Sequence, residues 1–217
     1  MRILMLTVGI VSLSSSATRA ADLVCINDFI PGIIVELPYA TANNFCGRQF
    51  YPEHRAYLLR PVAERLANVQ AELEDQGLGL KLWDGYRPLA VQRELWKVMP
   101  NPKFVANPAR GSRHNRGAAV DLTLVDAMGR ELEMPTGYDV FTPQAHAQYL
   151  KLKGRVLENR KTLQSVMVRH GFKIMKTEWW HFDAVGWEQY PVLDIPMERL
   201  YGKARSKTPI RATVITR

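Results

Sequence analysis

The chain divides by the spacing of its apolar residues. From Pro52 to Gln76, strong helix formers carry apolar side chains at Leu58, Leu59, Val62, Leu66, Val69 and Leu73 against a polar face. That spacing predicts a helix with one buried stripe, and Gly77 supplies its stop. Leu78 to Trp83 alternates as a strand does. Pro88 opens a second helix over Leu89 to Val98, and the Pro- and Asn-rich stretch Asn101 to Gly111 reads as a loop. Ala118 to Val125 reads as a strand, with Glu131 to Met134 pairing back after a turn at Met128-Gly129. A long helix is expected over Gln144 to His170, ended by Gly171, followed by short strands at Phe172 to Met175 and Trp179 to Ala184. Helices alternate irregularly with short strands and hairpin-like turns. The pattern predicts an α+β single domain with a central, mostly antiparallel sheet and flanking helices, rather than a doubly wound parallel sheet.

The N-terminus departs from this pattern. Arg2 precedes an apolar run, Ile3 to Leu13, too short to span a bilayer, and Thr18-Arg19-Ala20 follows as a cleavage site. Residues 1–20 are therefore expected to be a signal peptide, 21–198 the folded domain and 199–217 a basic C-terminal tail. Export to the periplasm follows from that order of positive, apolar and small residues. No other segment is apolar enough for a transmembrane helix.

Charge and cysteine content refine the picture. The formal net charge is +8, but residues 199–217 carry six basic residues and no acidic ones. Once the leader and tail are set aside, the body is formally neutral, which argues against a nucleic-acid-binding face. The tail reads as solvated, with contact to an acidic envelope surface as the second reading. The two cysteines, Cys25 and Cys46, lie in the mature part. In an oxidising compartment they form a candidate disulfide that would contribute roughly 3 kcal/mol.

Two segments about sixty residues apart carry the chemistry. One runs from Ser112 through His114 and Gly117 to Asp121; the other is Glu178-Trp179-Trp180-His181. Together they offer two imidazoles, one carboxylate ligand and a second carboxylate beside a ligand. That is the donor set of an open catalytic zinc site with its own general base. Gly117 can bend the chain so that His114 and Asp121 reach one point. By spacing alone, a structural His–Asp hydrogen bond is the commoner reading of these residues. The donors also suit Fe(II) in an oxygenase, although the His-x-Asp/Glu spacing usual there is absent. His54, His146 and His170 read as surface or structural, His146 being the reserve ligand. Trp179 and Trp180 read as alternate strand residues, one inward and one outward.

These segments resemble the zinc D-alanyl-D-alanine dipeptidases of the VanX type. Ser112-x-His114-x-x-Gly117-x-Ala119-x-Asp121 and Glu178-x-x-His181 carry the likeness. Tyr39-Ala40-Thr41-x-Asn43-Asn44-Phe45-x-Gly47, Leu82-Trp83-Asp84-Gly85-Tyr86-Arg87-Pro88 and Gly137-Tyr138-Asp139 extend it from about residue 23 to 195. The resemblance implies a hedgehog/D,D-peptidase-like fold. It implies one Zn2+ per chain on His114, Asp121 and His181, with Glu178 as catalytic base and Arg87 stabilising the transition state. It implies that Ser112 binds the substrate's carboxylate, and that Tyr39 and Asp139 bind its ammonium. The implied activity is hydrolysis of D-Ala-D-Ala in peptidoglycan precursor or dipeptide turnover. A D,D-carboxypeptidase trimming stem peptides is the alternative, and a non-catalytic zinc-stabilised binding domain a third reading. Asp84 either orients Arg87 or caps the turn. Arg113, between Ser112 and His114, leaves the metal point uncrowded only if it turns away.

Overall fold

The computed structural model describes residues 22–204. The leader at 1–20 and the tail beyond 204 lie outside the described residues. In chain order the elements are β1 (Leu23–Cys25), α1 (Ile26–Phe29), β2 (Ile34–Val35), β3 (Tyr57–Leu59), α2 (Arg60–Glu74), β4 (Leu78–Asp84) and α3 (Leu89–Val98). They continue with β5 (Ala119–Asp126), α4 (Gly154–Arg169), β6 (Phe172–Ile174), β7 (His181–Ala184) and α5 (Met197–Ala204).

The main sheet has the order β2-β4-β5-β7-β6. Only the β2–β4 pair is parallel; β4–β5, β5–β7 and β6–β7 are antiparallel. This is the α+β, mostly antiparallel arrangement that the pattern predicts. β5 lies at the centre and is buried on both faces, which explains its near-continuous apolar run. Helix α2 packs Val62, Leu66, Val69 and Leu73 against this sheet, all fully buried. Gln70 on the same face accepts a hydrogen bond from the Leu80 amide at 2.9 Å, latching α2 to β4.

Several elements differ from expectation. The strand expected at Glu131 to Met134 is a single bridge, Val125–Glu131, and the strand expected from Trp179 begins at His181. The helix expected from Pro52 begins only at Arg60. Tyr57, Leu58 and Leu59 are all buried and pair with β1 as a second, two-stranded sheet. Pro61 then fits the first helical turn, where its missing N–H costs nothing. The long helix expected from Gln144 begins at Gly154. Residues 144–153 instead form an irregular strap whose carbonyls are satisfied from outside. Arg160 of α4 donates to Tyr149 O at 2.7 Å and His146 O at 3.3 Å, and the Trp179 amide donates to Ala145 O at 2.8 Å. The stretch expected to be tail from residue 199 starts inside α5, with Leu200 and Met197 buried in the core. Among the described residues, no helix is long and apolar enough to cross a membrane.

The Cys25–Cys46 bridge is not formed; both thiols are free and half-buried. They sit in different surroundings, Cys25 among Asp28, Arg55 and Tyr57, and Cys46 beside Arg48 and within the field of Asp139.

Candidate active site

The sheet register assembles the centre. Asp84 pairs with Asp121 across β4–β5, and Asp121 pairs with His181 across β5–β7. Three polar residues thus share one row of the sheet. The fourth, His114, comes from a 3-10 turn over His114–Arg116 that ends at Gly117. Gly117 has φ +63°, and a Cβ there would lie 2.9 Å from Leu23 and 3.2 Å from the Leu59 amide. The bend expected at Gly117 therefore needs glycine for its dihedral and for its room.

Donor atoms of His114, Asp121 and His181 lie within 4.8 Å of one another, and all three residues are buried. His114 Nε2 stands 3.1 Å from His181 Nδ1, and His181 Nδ1 stands 2.9 Å from Asp121 Oδ1. Each donor is held from behind. His114 Nδ1 donates to the Gly85 carbonyl at 2.8 Å, which leaves Nε2 as the free lone pair. His181 Nε2 meets Asp183 Oδ1 at 2.9 Å, and the Tyr138 hydroxyl donates to Asp121 Oδ2 at 3.0 Å. Burial opposes charge on His181, yet hydrogen bonds and charge from Asp121 and Asp183 outweigh it and hold its pKa well above the usual imidazole value. Burial likewise opposes charge on Asp121, and the two imidazoles hold its carboxyl far below the usual range. The pocket favours positive charge at the point where the donors converge. Two imidazoles and a carboxylate, each oriented by an outer partner, fit a tetrahedral zinc site with one open position.

Glu178 sits in the turn before β7, with Oε2 3.9 Å from His181 Nδ1. Burial raises its pKa to about 7; the charge of Asp121 adds to the rise and that of His181 opposes it. A carboxyl tuned near neutrality can both take and return a proton.

Arg87 is 7% exposed and is fixed on three sides. Nε and Nη2 donate to Asp84 Oδ2 at 2.9 and 2.6 Å, and Nη1 donates to Gln92 Oε1 at 2.9 Å. Three of its five N–H groups are used, so one on each terminal nitrogen remains. Its guanidinium also lies 5.2 Å above the Tyr39 ring.

The Tyr39 hydroxyl donates to Asp139 Oδ2 at 2.9 Å. Asp139 adopts φ +55°, an αL conformation that Asp tolerates better than most residues. Burial and the charge of Asp121 push its carboxyl well above the usual range. The Tyr39 hydrogen bond and the charge of Arg87 oppose that rise without cancelling it. Ser112 is buried, and its Oγ accepts the His114 amide at 3.2 Å, leaving the hydroxyl proton to donate elsewhere.

All eight residues singled out by sequence, Tyr39, Arg87, Ser112, His114, Asp121, Asp139, Glu178 and His181, line one cavity of about 290 Å3. His54, His146 and His170 lie outside it. His54 Nδ1 accepts the Leu37 amide at 2.9 Å, and His170 pairs with Glu72 at 2.6 Å. Arg113 borders the cavity, but its guanidinium lies away from the donors, over Trp187 at 4.8 Å. Trp179 and Trp180 are both fully buried, not one in and one out.

A family model described as D-ala-D-ala dipeptidase matches residues 19–195. The chain belongs to that family. It is a metallopeptidase. Among its relatives are D-alanyl-D-alanine dipeptidases of Escherichia coli K12 and Streptomyces coelicolor. The first is 35% identical over 179 residues, covering 82% of this chain and 91% of the relative. The second is 33% identical over 182 residues, covering 74% and 90%. Among solved structures, the LdcB LD-carboxypeptidase matches with TM-score 0.45 and 20% identity, over 77% of this chain and 70% of that one. The D,D-pentapeptidase VanY, solved in complex with Zn(II), matches with TM-score 0.41 and 17% identity, over 69% and 80%.

Sequence reading missed the outer partners Asp183, Tyr138, Gly85 and Gln92. Asp183 was findable, because residues i and i+2 of a strand share a face. Gly85 acts through its carbonyl and Gln92 across a helix, so neither leaves a mark in the sequence.

Proposed function

We propose that this dipeptidase-family chain hydrolyses D-Ala-D-Ala to two D-alanines with one zinc ion per chain. One observation carries the reading. A carboxylate with no salt bridge among the described residues, Asp139, and a buried hydroxyl with a free proton, Ser112, line the same cavity as the His114–Asp121–His181 donors. That combination suits a short substrate charged at both ends. The relatives' name, D-alanyl-D-alanine dipeptidase, supports the same substrate.

Bound there, zinc supplies Lewis acidity that polarises a carbonyl and lowers the pKa of a water to about 7. The protein's own groups do the rest. Asp139, aided by Tyr39, pairs the substrate ammonium, and Ser112 donates to its carboxylate. Glu178 takes the proton from the attacking water and returns it to the departing amine. Arg87 turns its two spare N–H groups to the oxygen on which charge develops, a contribution of about a hundred- to a thousandfold in rate. An uncharged N-terminus would leave Asp139 with the Tyr39 hydroxyl alone and no countercharge, which disfavours longer or blocked peptides.

The reading extends to residues 1–20 as a cleaved leader, to action in the periplasm, and to a role in peptidoglycan-derived dipeptide turnover. The order of Arg2, the apolar run and Thr18-Arg19-Ala20 supports export. The mass of protein recovered from cells tests it: a mature chain starting at Ala21 is expected, and an intact Met1 contradicts it. The activity is tested by D-alanine release from D-Ala-D-Ala by zinc-loaded protein, with loss after chelation. Undiminished turnover in verified metal-free protein contradicts the reading.

A further inference from the structure

Three cavities share walls along one side of the molecule. Pro102, Ala106 and Arg113 line both the catalytic cavity and a neighbouring cleft of about 460 Å3. That cleft shares Arg110, Gly111 and Arg116 with a third, of about 310 Å3, which Arg93 also lines. Four arginines, Arg93, Arg110, Arg116 and Arg113, thus mark one groove that ends at the catalytic cavity.

Their charge is only partly answered. Arg93 pairs with Asp194 at 3.3 Å, and Arg113 stands 3.6 Å from Asp183. Glu188 acts on Arg116 through space, and Arg116 donates to the Tyr190 carbonyl. Arg110 has no side-chain hydrogen bond or ion pair among the described residues. Arg113 and Arg116 both lie over Trp187, at 4.8 and 5.3 Å from the ring centre, so two like charges share one indole. Nε of Arg116 is buried with no hydrogen-bond partner, while Nε of Arg113 makes no hydrogen bond and has Asp183 Oδ2 at 3.6 Å. Both side chains are half-exposed, and an anion between them satisfies the unpaired Nε of Arg116 and offsets the repulsion together. The loop that carries Arg110 is stiffened by local hydrogen bonds, Asn107 Oδ1 accepting the Ala109 amide at 2.9 Å and Asn107 O accepting the Arg110 amide at 3.0 Å.

We propose that this groove binds an extended ligand bearing two or more carboxylate or phosphate groups, whose near end reaches the catalytic cavity past Arg113. Guanidinium forks match both oxyanions and bind them in pairs of hydrogen bonds. Arginines distributed over two clefts suit several anionic groups on one chain rather than a single ion. The indole of Trp187 offers a flat face to the connecting atoms. The proposal does not depend on the dipeptidase reading, since Arg110, Arg116 and Trp187 have no part in that chemistry.

Calorimetric titration of the zinc-loaded full chain tests it. The two probes are phosphoSer-Gly-phosphoSer and Asp-Gly-Asp, each acetylated and amidated so that neither end is charged. Saturable binding of one probe per chain, weakening as salt rises, is expected, and the stronger arm identifies phosphate or carboxylate as the ligand's anion. Arg110→Gln and Arg116→Gln are each expected to weaken binding about tenfold or more. Because Arg116 also holds the Tyr190 carbonyl, Arg110→Gln decides the matter, with its melting temperature confirming the fold. The proposal is overturned if neither probe binds, or if Arg110→Gln binds like wild type. Loss of binding on zinc removal would also overturn it, by placing the anion on the metal.

Discussion

Asp84 holds Arg87 through one oxygen: Oδ2 accepts both Nε, at 2.9 Å, and Nη2, at 2.6 Å. Its other oxygen accepts the Gly85 amide at 2.9 Å and the Tyr51 hydroxyl at 3.0 Å. Asp84 therefore both caps the turn and aims the guanidinium. Asp84→Asn places an amide donor against Arg87 or surrenders one acceptor, and either result tilts the fork. Displacement of a catalytic group by an ångström costs on the order of a hundredfold. Steady-state assays should show kcat down by up to that factor with zinc content unchanged, and Arg87→Ala should lose about a hundred- to a thousandfold.

Asp183 should act on the metal rather than on the reaction step. Its Oδ1 lies 2.9 Å from His181 Nε2, so it fixes which nitrogen faces the centre. Removal of such an outer partner typically weakens metal binding ten- to a hundredfold. Competition with a chromophoric chelator should show that loss for Asp183→Ala, with kcat at saturating zinc much less affected. Unchanged zinc affinity would remove Asp183 from this role.

The Glu72 cluster predicts a pH effect on stability far from the cavity. Glu72 on α2 pairs with Arg169 and with His170, tying α2 to the end of α4. Hydrogen bonds from Arg169 and then His170 hold its pKa below the ordinary carboxylate value. The stability it adds is present above the unfolded carboxyl pKa of about 4.3 and is lost as pH falls through the lower folded value. Glu72→Gln should melt below wild type at pH 7, and the gap should close on acidification below about pH 4. A gap constant with pH would assign the effect to packing.

Much of this was legible in the sequence because it depended on local spacing. The α3 limits, Leu89–Val98, followed from Pro88 and the apolar period. The Gly117 bend was visible because only glycine suits the dihedral and the close approach. What was not legible depended on distant partners. Leu58 and Leu59 fit a helical stripe as well as a strand, and β1, more than thirty positions earlier, decided the outcome. Residues 144–153 carry helix formers, but Arg160 and the Trp179 amide satisfy their carbonyls, and the Lys176 carbonyl accepts the Ala147 amide, without a helix. The ligand residues were readable as a motif, whereas the atoms that orient them were not. Tyr138 and Asp139 are neighbours in sequence yet face different partners, Asp121 and Tyr39.

Glu178 should separate metal binding from turnover. It lies 3.9 Å from the His181 donor atom yet stands outside the three-residue donor set. Glu178→Ala is expected to retain one zinc per chain while losing hydrolysis by a factor of a hundred or more. An active variant would require another base.

The most direct measurement of the central claim is the ratio of kcat/KM for D-Ala-D-Ala to that for its N-acetylated form, on the zinc-loaded enzyme. Pairing of the substrate ammonium with Asp139 predicts a ratio of about ten to a hundred or more, since the blocked form loses a charged hydrogen bond worth about 1.5–3 kcal/mol, and it predicts collapse of that ratio in Asp139→Asn. A ratio near or below one would contradict the account and identify a carboxypeptidase that requires a blocked or extended N-terminus.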